Sequence, residues 1–146
     1  VLTEQISVQQ IYVVRRTIET RTVTLASLRR TEAEAQKIRV HANQMMENLD
    51  DAEMVMEHDL AFHLAIAQAS KNPVFAMIVG AFQGVSRQSW PIGWQIRNQH
   101  KLREASAQTH IDIADAIAIG DPQKAATLMK AHFDDSTKVL LDAGLT

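Results

Sequence analysis

Five glycines and three prolines serve 146 residues, and they fall at a few points rather than throughout. A chain of many short strands joined by tight turns needs more of both. Between those points apolar residues recur at helical spacing. A first helix is predicted from Thr3 to Glu19, with Val8, Ile11, Arg15, Ile18 and Thr22 on one face. The segment TVTLASLRR continues it, or forms a second short helix after a kink. Thr31 followed by Glu34 is a capping-box pattern and opens a helix to Leu49. Asp50 or Asp51 caps the next helix, which runs to Ser70 and is apolar on most sides. Such a helix is normally central in a domain. Asn72-Pro73 supplies an N-cap and a proline for the first helical position. That helix is expected to end before Pro91-Ile92-Gly93, the clearest break in the chain. A long helix follows from Gln95 to Ile119, with Gly120 as its left-handed cap. Asp121-Pro122 opens a last helix to Leu141. The expected fold is all-α, one antiparallel bundle of six to seven helices spanning residues 1–146.

Composition narrows the function. The chain has no cysteine, which excludes a disulfide scaffold, a thiolate metal site and a Cys nucleophile. Its formal net charge is −2, and no Lys/Arg run exceeds two residues. A strongly basic nucleic-acid surface is therefore not expected. No stretch approaches the roughly 20 apolar residues of a membrane span. The opening VLTEQISVQQ lacks the features of a signal peptide. The chain starts at Val1 without a Met, and its amphipathic pattern begins almost at once, as expected of a segment from a longer protein.

Polar residues on faces that should be buried carry the chemistry. Asp59 and His63 are four apart on the central helix and share a face with Val55, Ile66 and Ser70. His110 lies in line with Ile113, Ala114 and Ile117. His132 lies in line with Ala125, Leu128, Met129 and Val139. A lone inward histidine is more often a core residue bonded to a carbonyl. Three histidines and an aspartate pointing inward from three helices are better explained by a shared divalent ion, because burying each alone is costly. His41, His58 and His100 lack such company and are expected at the surface or behind the ligands.

Arg15 interrupts the apolar stripe of the first helix. It either forms an internal salt bridge with Glu19, one turn away, or faces a cavity and holds an anion by a fork of hydrogen bonds. Arg103, two turns before His110 on the same face, is a weaker candidate for the same role. Trp90 and Trp94 flank the expected break and read as core or lid packing. No second carboxylate stands in an obvious general-base position on the ligand faces.

Asp59-Leu-Ala-Phe62-His63-Leu-Ala-Ile-Ala-Gln-Ala-Ser-Lys-Asn72-Pro resembles the D-x-x-F-H-x-x-(I/L)-A-x-A-(S)-x-N signature of the FCD domain. That is the effector-binding, C-terminal domain of FadR-type regulators in the GntR superfamily. Tyr12-Val-Val-Arg15-Arg-Thr-Ile-Glu19 is similar to the family's opening R-x-x-(L/I)-E helix. His110-Ile-Asp-Ile-Ala-Asp-Ala-Ile-Ala-Ile-Gly120-Asp121, then Ala125 and His132, is similar to its ending. The likeness covers nearly the whole chain. Two departures are Thr109, where the family often has an acidic residue, and Lys71, where it often has glycine.

The resemblance implies one divalent ion held by Asp59, His63, His110 and His132, with zinc or nickel first and manganese or cobalt next. It implies a small carboxylate or hydroxy-acid effector that completes the ion's coordination. Arg15 is expected to face that effector, with Asn72 and Arg103 as further candidate contacts. It also implies a cytoplasmic homodimer whose DNA binding lies in an N-terminal winged helix that this chain does not contain. Two other classes remain open at this point. One is an enzyme using the same metal as a Lewis acid on small organic acids. The other is a metal-free helical dimerisation module.

Overall fold

A computed structural model describes residues 6–145. Among them are six helices and no strand: α1 (Val8–Arg29), α2 (Glu32–Glu47), α3 (Ala52–Ala69), α4 (Pro73–Ile96), α5 (His100–Ile119) and α6 (Pro122–Asp142). Short connections fold them into one bundle, with α1 against α3, α4, α5 and α6, and α2 against α3 and α5.

The caps follow the side chains. Thr31 accepts from the Glu34 amide while Glu34 returns the bond, so the capping box forms. Asp51, Asn72 and Asp121 cap α3, α4 and α6 through bonds to Met54, Val74 and Lys124. Ser7 caps α1, and the expected start at Thr3 lies outside the described residues. Gly120 takes φ +73, as the end of α5 requires. Arg30 reaches across to the last carbonyls of α5, bonding Ile117 O and Ala118 O at 2.9 Å each.

Three expectations change. α1 runs unbroken to Arg29, so the count is six helices. The Thr22, Thr24 and Ser27 hydroxyls bond carbonyls of their own helix, and Val23 is fully buried. Packing thus overrides the weak helix preference of the TVT stretch. α4 also continues through Pro91 to Ile96. Pro91 is on the exposed side, where the carbonyl freed by its missing N–H faces water. Beyond it, Gly93 is buried and Trp94 stacks on Trp90. Consequently α5 starts at His100 rather than Gln95.

The core joins Val23 of α1, Ile38 of α2, Phe62 and Ile66 of α3, Ile113 and Ile117 of α5, and Met129 and Phe133 of α6. A second cluster, Met45, Leu49, Val55 and Ala107, packs against Trp90 and Trp94. Between the two lies a cavity.

Candidate metal and anion site

The central helix sends Asp59 and His63 into this cavity one turn apart. His110 of α5 and His132 of α6 meet them there. One ring nitrogen each from His63, His110 and His132 lie within 4.8 Å of one another. Asp59 Oδ1 stands 3.0 Å from His110 Nε2 and 3.2 Å from His63 Nε2. Asp59, His63 and His132 line the cavity, while His110 is 1% exposed behind it.

The atoms facing away from this centre are already engaged. Asp59 Oδ2 accepts from the Trp90 indole at 2.9 Å. His110 Nδ1 donates to the Ser106 carbonyl at 2.8 Å, since a carbonyl can only accept. Its Nε2 faces the Asp59 Oδ1 carboxylate oxygen at 3.0 Å. A proton or a metal ion between the two atoms closes that contact.

Glu19 of α1 supplies a second buried carboxylate, 1% exposed. Its Oε2 takes the Arg15 Nε–H at 2.7 Å, and its Oε1 stands 2.6 Å from His63 Nδ1. The approach to His63 is too bent for a straight hydrogen bond, leaving Nδ1 held by an ion-pair contact. Burial would push Glu19 up, but Arg15 and His63 outweigh it and hold it down at about 2. Burial would lower His63, but the Glu19 and Asp59 carboxylates outweigh it and raise it to about 9. Asp59 is likewise held well below its ordinary value, its burial overcome by His110 and His63. His132 is pushed well below 6.5 by burial and by the neighbouring imidazoles. The two buried carboxylates of Glu19 and Asp59 are thus balanced by the Arg15 guanidinium and by the proton on His63, and a metal ion bound to the imidazoles can take that proton's place.

These residues fit a divalent ion. Nitrogen and oxygen ligands sit about 2.0–2.2 Å from zinc, which places adjacent ligand atoms about 2.8–3.6 Å apart between octahedral and tetrahedral geometry. The Asp59 contacts of 3.0 and 3.2 Å match that spacing before any rearrangement. Neutral imidazoles and a carboxylate suit zinc, nickel, cobalt or manganese.

Arg15 combines the salt-bridge geometry with a place on the cavity wall. It pairs with Glu19, and it also lines the cavity, donating from NH1 to Ser86 Oγ at 3.1 Å. Arg103 lines the same cavity. Asn72 is not brought to it: its side chain caps α4 and does not line the cavity. His41 and His58 contact each other at 3.0 Å, half-buried and away from the cavity, and His100 is exposed. Sequence reasoning missed Glu19 as a contact of His63, Trp90 as a partner of Asp59, and the Ser106 carbonyl. Glu19 is also a second carboxylate at the ligands, and it arrives from α1, which carries none of them.

The model of the FCD domain family matches residues 10–135. The chain belongs to the FCD domain family. The HTH-type transcriptional regulator LutR of Bacillus subtilis is 29% identical over 140 residues, covering 91% of this chain and 62% of the relative. The HTH-type transcriptional repressor NanR of Salmonella newport is 33% identical over 91 residues, covering 60% of this chain and 34% of the relative. The chain therefore spans less than two thirds of the length of these curated relatives. They are named as transcription regulators, not as enzymes. Among solved structures, E. coli McbR/YncC superposes with a TM-score of 0.75 at 14% identity, over 92% of this chain and 64% of that one. Lar, which controls expression of the Listeria monocytogenes agr system, gives 0.74 at 19% identity, over 97% of this chain and 68% of that one. Those two likenesses show a shared fold. No helix among the described residues is long and apolar enough to cross a membrane.

Proposed function

We propose that this FCD domain is the sensing part of a bacterial, cytoplasmic transcription regulator and responds to a small carboxylate. Asp59, His63, His110 and His132 hold one divalent ion, and Arg15 receives the acid beside it. The observation that carries this reading is the convergence, in one cavity, of a metal-type donor set with a buried arginine. A bound ion supplies open Lewis-acid positions for a carboxylate oxygen. The chain's own residues orient the acid: Arg15 offers its remaining N–H groups, and the apolar walls exclude water and strengthen the pairing. All six helices line the cavity, so a ligand there contacts several of them together. Differential contact with two bundle packings then biases which one is populated. In a homodimeric parent, that bias repositions DNA-binding segments outside this chain, consistent with the HTH-type names of its relatives.

Calorimetry of metal-loaded protein with small acids tests the reading. Arg15→Lys keeps a cation beside Glu19 but loses the planar fork. It should retain metal and weaken acid binding by about tenfold or more. His63→Ala should lose both. Neutral alcohols of the same shape should not bind, and bound acids should be released unchanged, unlike an enzyme's substrate. Metal-loaded protein that binds no acid would contradict the reading.

A further inference from the structure

The metal centre occupies only one end of the cavity. At the other end, α5 presents Arg103 against the wall formed by Trp90 and Trp94. The Arg103 guanidinium lies 3.6 Å from the Trp94 ring centre and donates from NH2 to the Trp94 carbonyl at 3.1 Å. Two contacts thus fix its position. Its Nε is buried without any hydrogen-bond partner. Among the described residues no carboxylate lies within ion-pair distance of it; Arg15 and Arg97, the other arginines lining the cavity, pair with Glu19 and Asp135. A buried guanidinium N–H without an acceptor is costly, and the cost is relieved when a ligand brings one.

A continuous wall joins the two ends. Trp90 donates to Asp59 at the metal end and stacks on Trp94, with ring centres 5.3 Å apart. Met45 and Val55 continue the apolar lining. A ligand body lying along this wall is apolar or planar, because it meets indole faces and aliphatic groups.

We propose that the cavity takes a two-headed acid. One carboxylate engages Arg15 and the metal end, and a second carboxylate accepts from Arg103 across an apolar spacer. The inference rests on the sensor reading and deepens it to a ligand class, dicarboxylates over monocarboxylates. Arg103 is then a specificity-determining residue. It reads the length of the acid, because its position is fixed by Trp94.

The test is calorimetry of the metal-loaded chain with matched pairs: butyrate and succinate, valerate and glutarate, hexanoate and adipate. The best dicarboxylate should bind about tenfold or more tighter than its matched monocarboxylate, as a charge-assisted pair implies. Arg103→Gln should reduce that preference to about twofold while monocarboxylate affinity stays as in the wild type. Arg103→Lys, which keeps the charge but not the fixed fork, should retain a weaker preference with less dependence on length. Metal content and helical circular dichroism establish that each variant is folded, and either variant alone is decisive. Equal binding of the two members of each pair in the wild type overturns the proposal. So does an unchanged dicarboxylate preference in Arg103→Gln. Monocarboxylate binding that persists in either case leaves the sensor reading standing. Failure of every acid to bind removes both.

Discussion

Glu19 connects the two chemistries of the cavity. One oxygen holds Arg15 and the other stands against His63. Carboxylates behind ligating histidines orient the ring and raise its basicity, and losing one typically costs about 10–100-fold in metal affinity. Glu19→Gln, nearly the same shape without the charge, should therefore weaken zinc by about tenfold or more in a chelator competition. Arg15→Lys should leave zinc affinity within about twofold of wild type, because metal ligation does not use Arg15 and a cation remains beside Glu19. Equal zinc affinity in wild type and Glu19→Gln would remove Glu19 from the metal's support. His63 sets the pH dependence of the metal-free protein. Its value rises from 6.5 to about 9 on folding, so its stabilising contribution is complete below 6.5 and is lost as pH climbs through 9. His132 is pushed the other way and is neutral across that window. Chelated protein should thus melt at a lower temperature at pH 9 than at pH 6.5. Zinc replaces the proton at the site, so the loaded protein should lose much less over the same range. Identical pH slopes with and without zinc would contradict this.

Helix ends were the most legible features of the elements. Thr31 with Glu34, Asn72-Pro73, Gly120 and Asp121-Pro122 each act through bonds to residues two to four positions away, so local sequence contains the cause. Pro91 was misleading for the opposite reason. Its penalty is local, but the gain that outweighs it comes from Trp90 and Trp94 packing on α3 and α5 residues. The Asp59/His63 pair was legible because one helix turn brings them together. Glu19 is 44 positions from His63, and only the α1–α3 packing reveals their contact. Asn72 had two readings, cap and ligand contact, and the backbone amide of Val74 takes its oxygen. Gly120 offers a quantitative check on the local rules. Its φ of +73 is unfavourable for a residue with a Cβ. Gly120→Ala should cost about 1–2 kcal/mol, read as a lower urea midpoint at unchanged slope. An unchanged midpoint would mean that α5 ends without needing this conformation.

At the scale of the whole molecule, the bundle places its most expensive residues at one point. Arg15, Glu19, Asp59, His63 and His110 come from three helices, and each is compensated by another of the set. A core that served only to hold six helices together would be more stable with apolar residues at these positions. The arrangement is therefore the one that the proposed metal and acid binding calls for. If the proposal is right, this convergence holds one divalent ion. Anomalous diffraction from crystals grown with added zinc measures it most directly. One strong peak per chain is expected within bonding distance of Asp59, His63, His110 and His132. A zinc-soaked crystal with no peak at that point, or with its principal peak elsewhere, would contradict it.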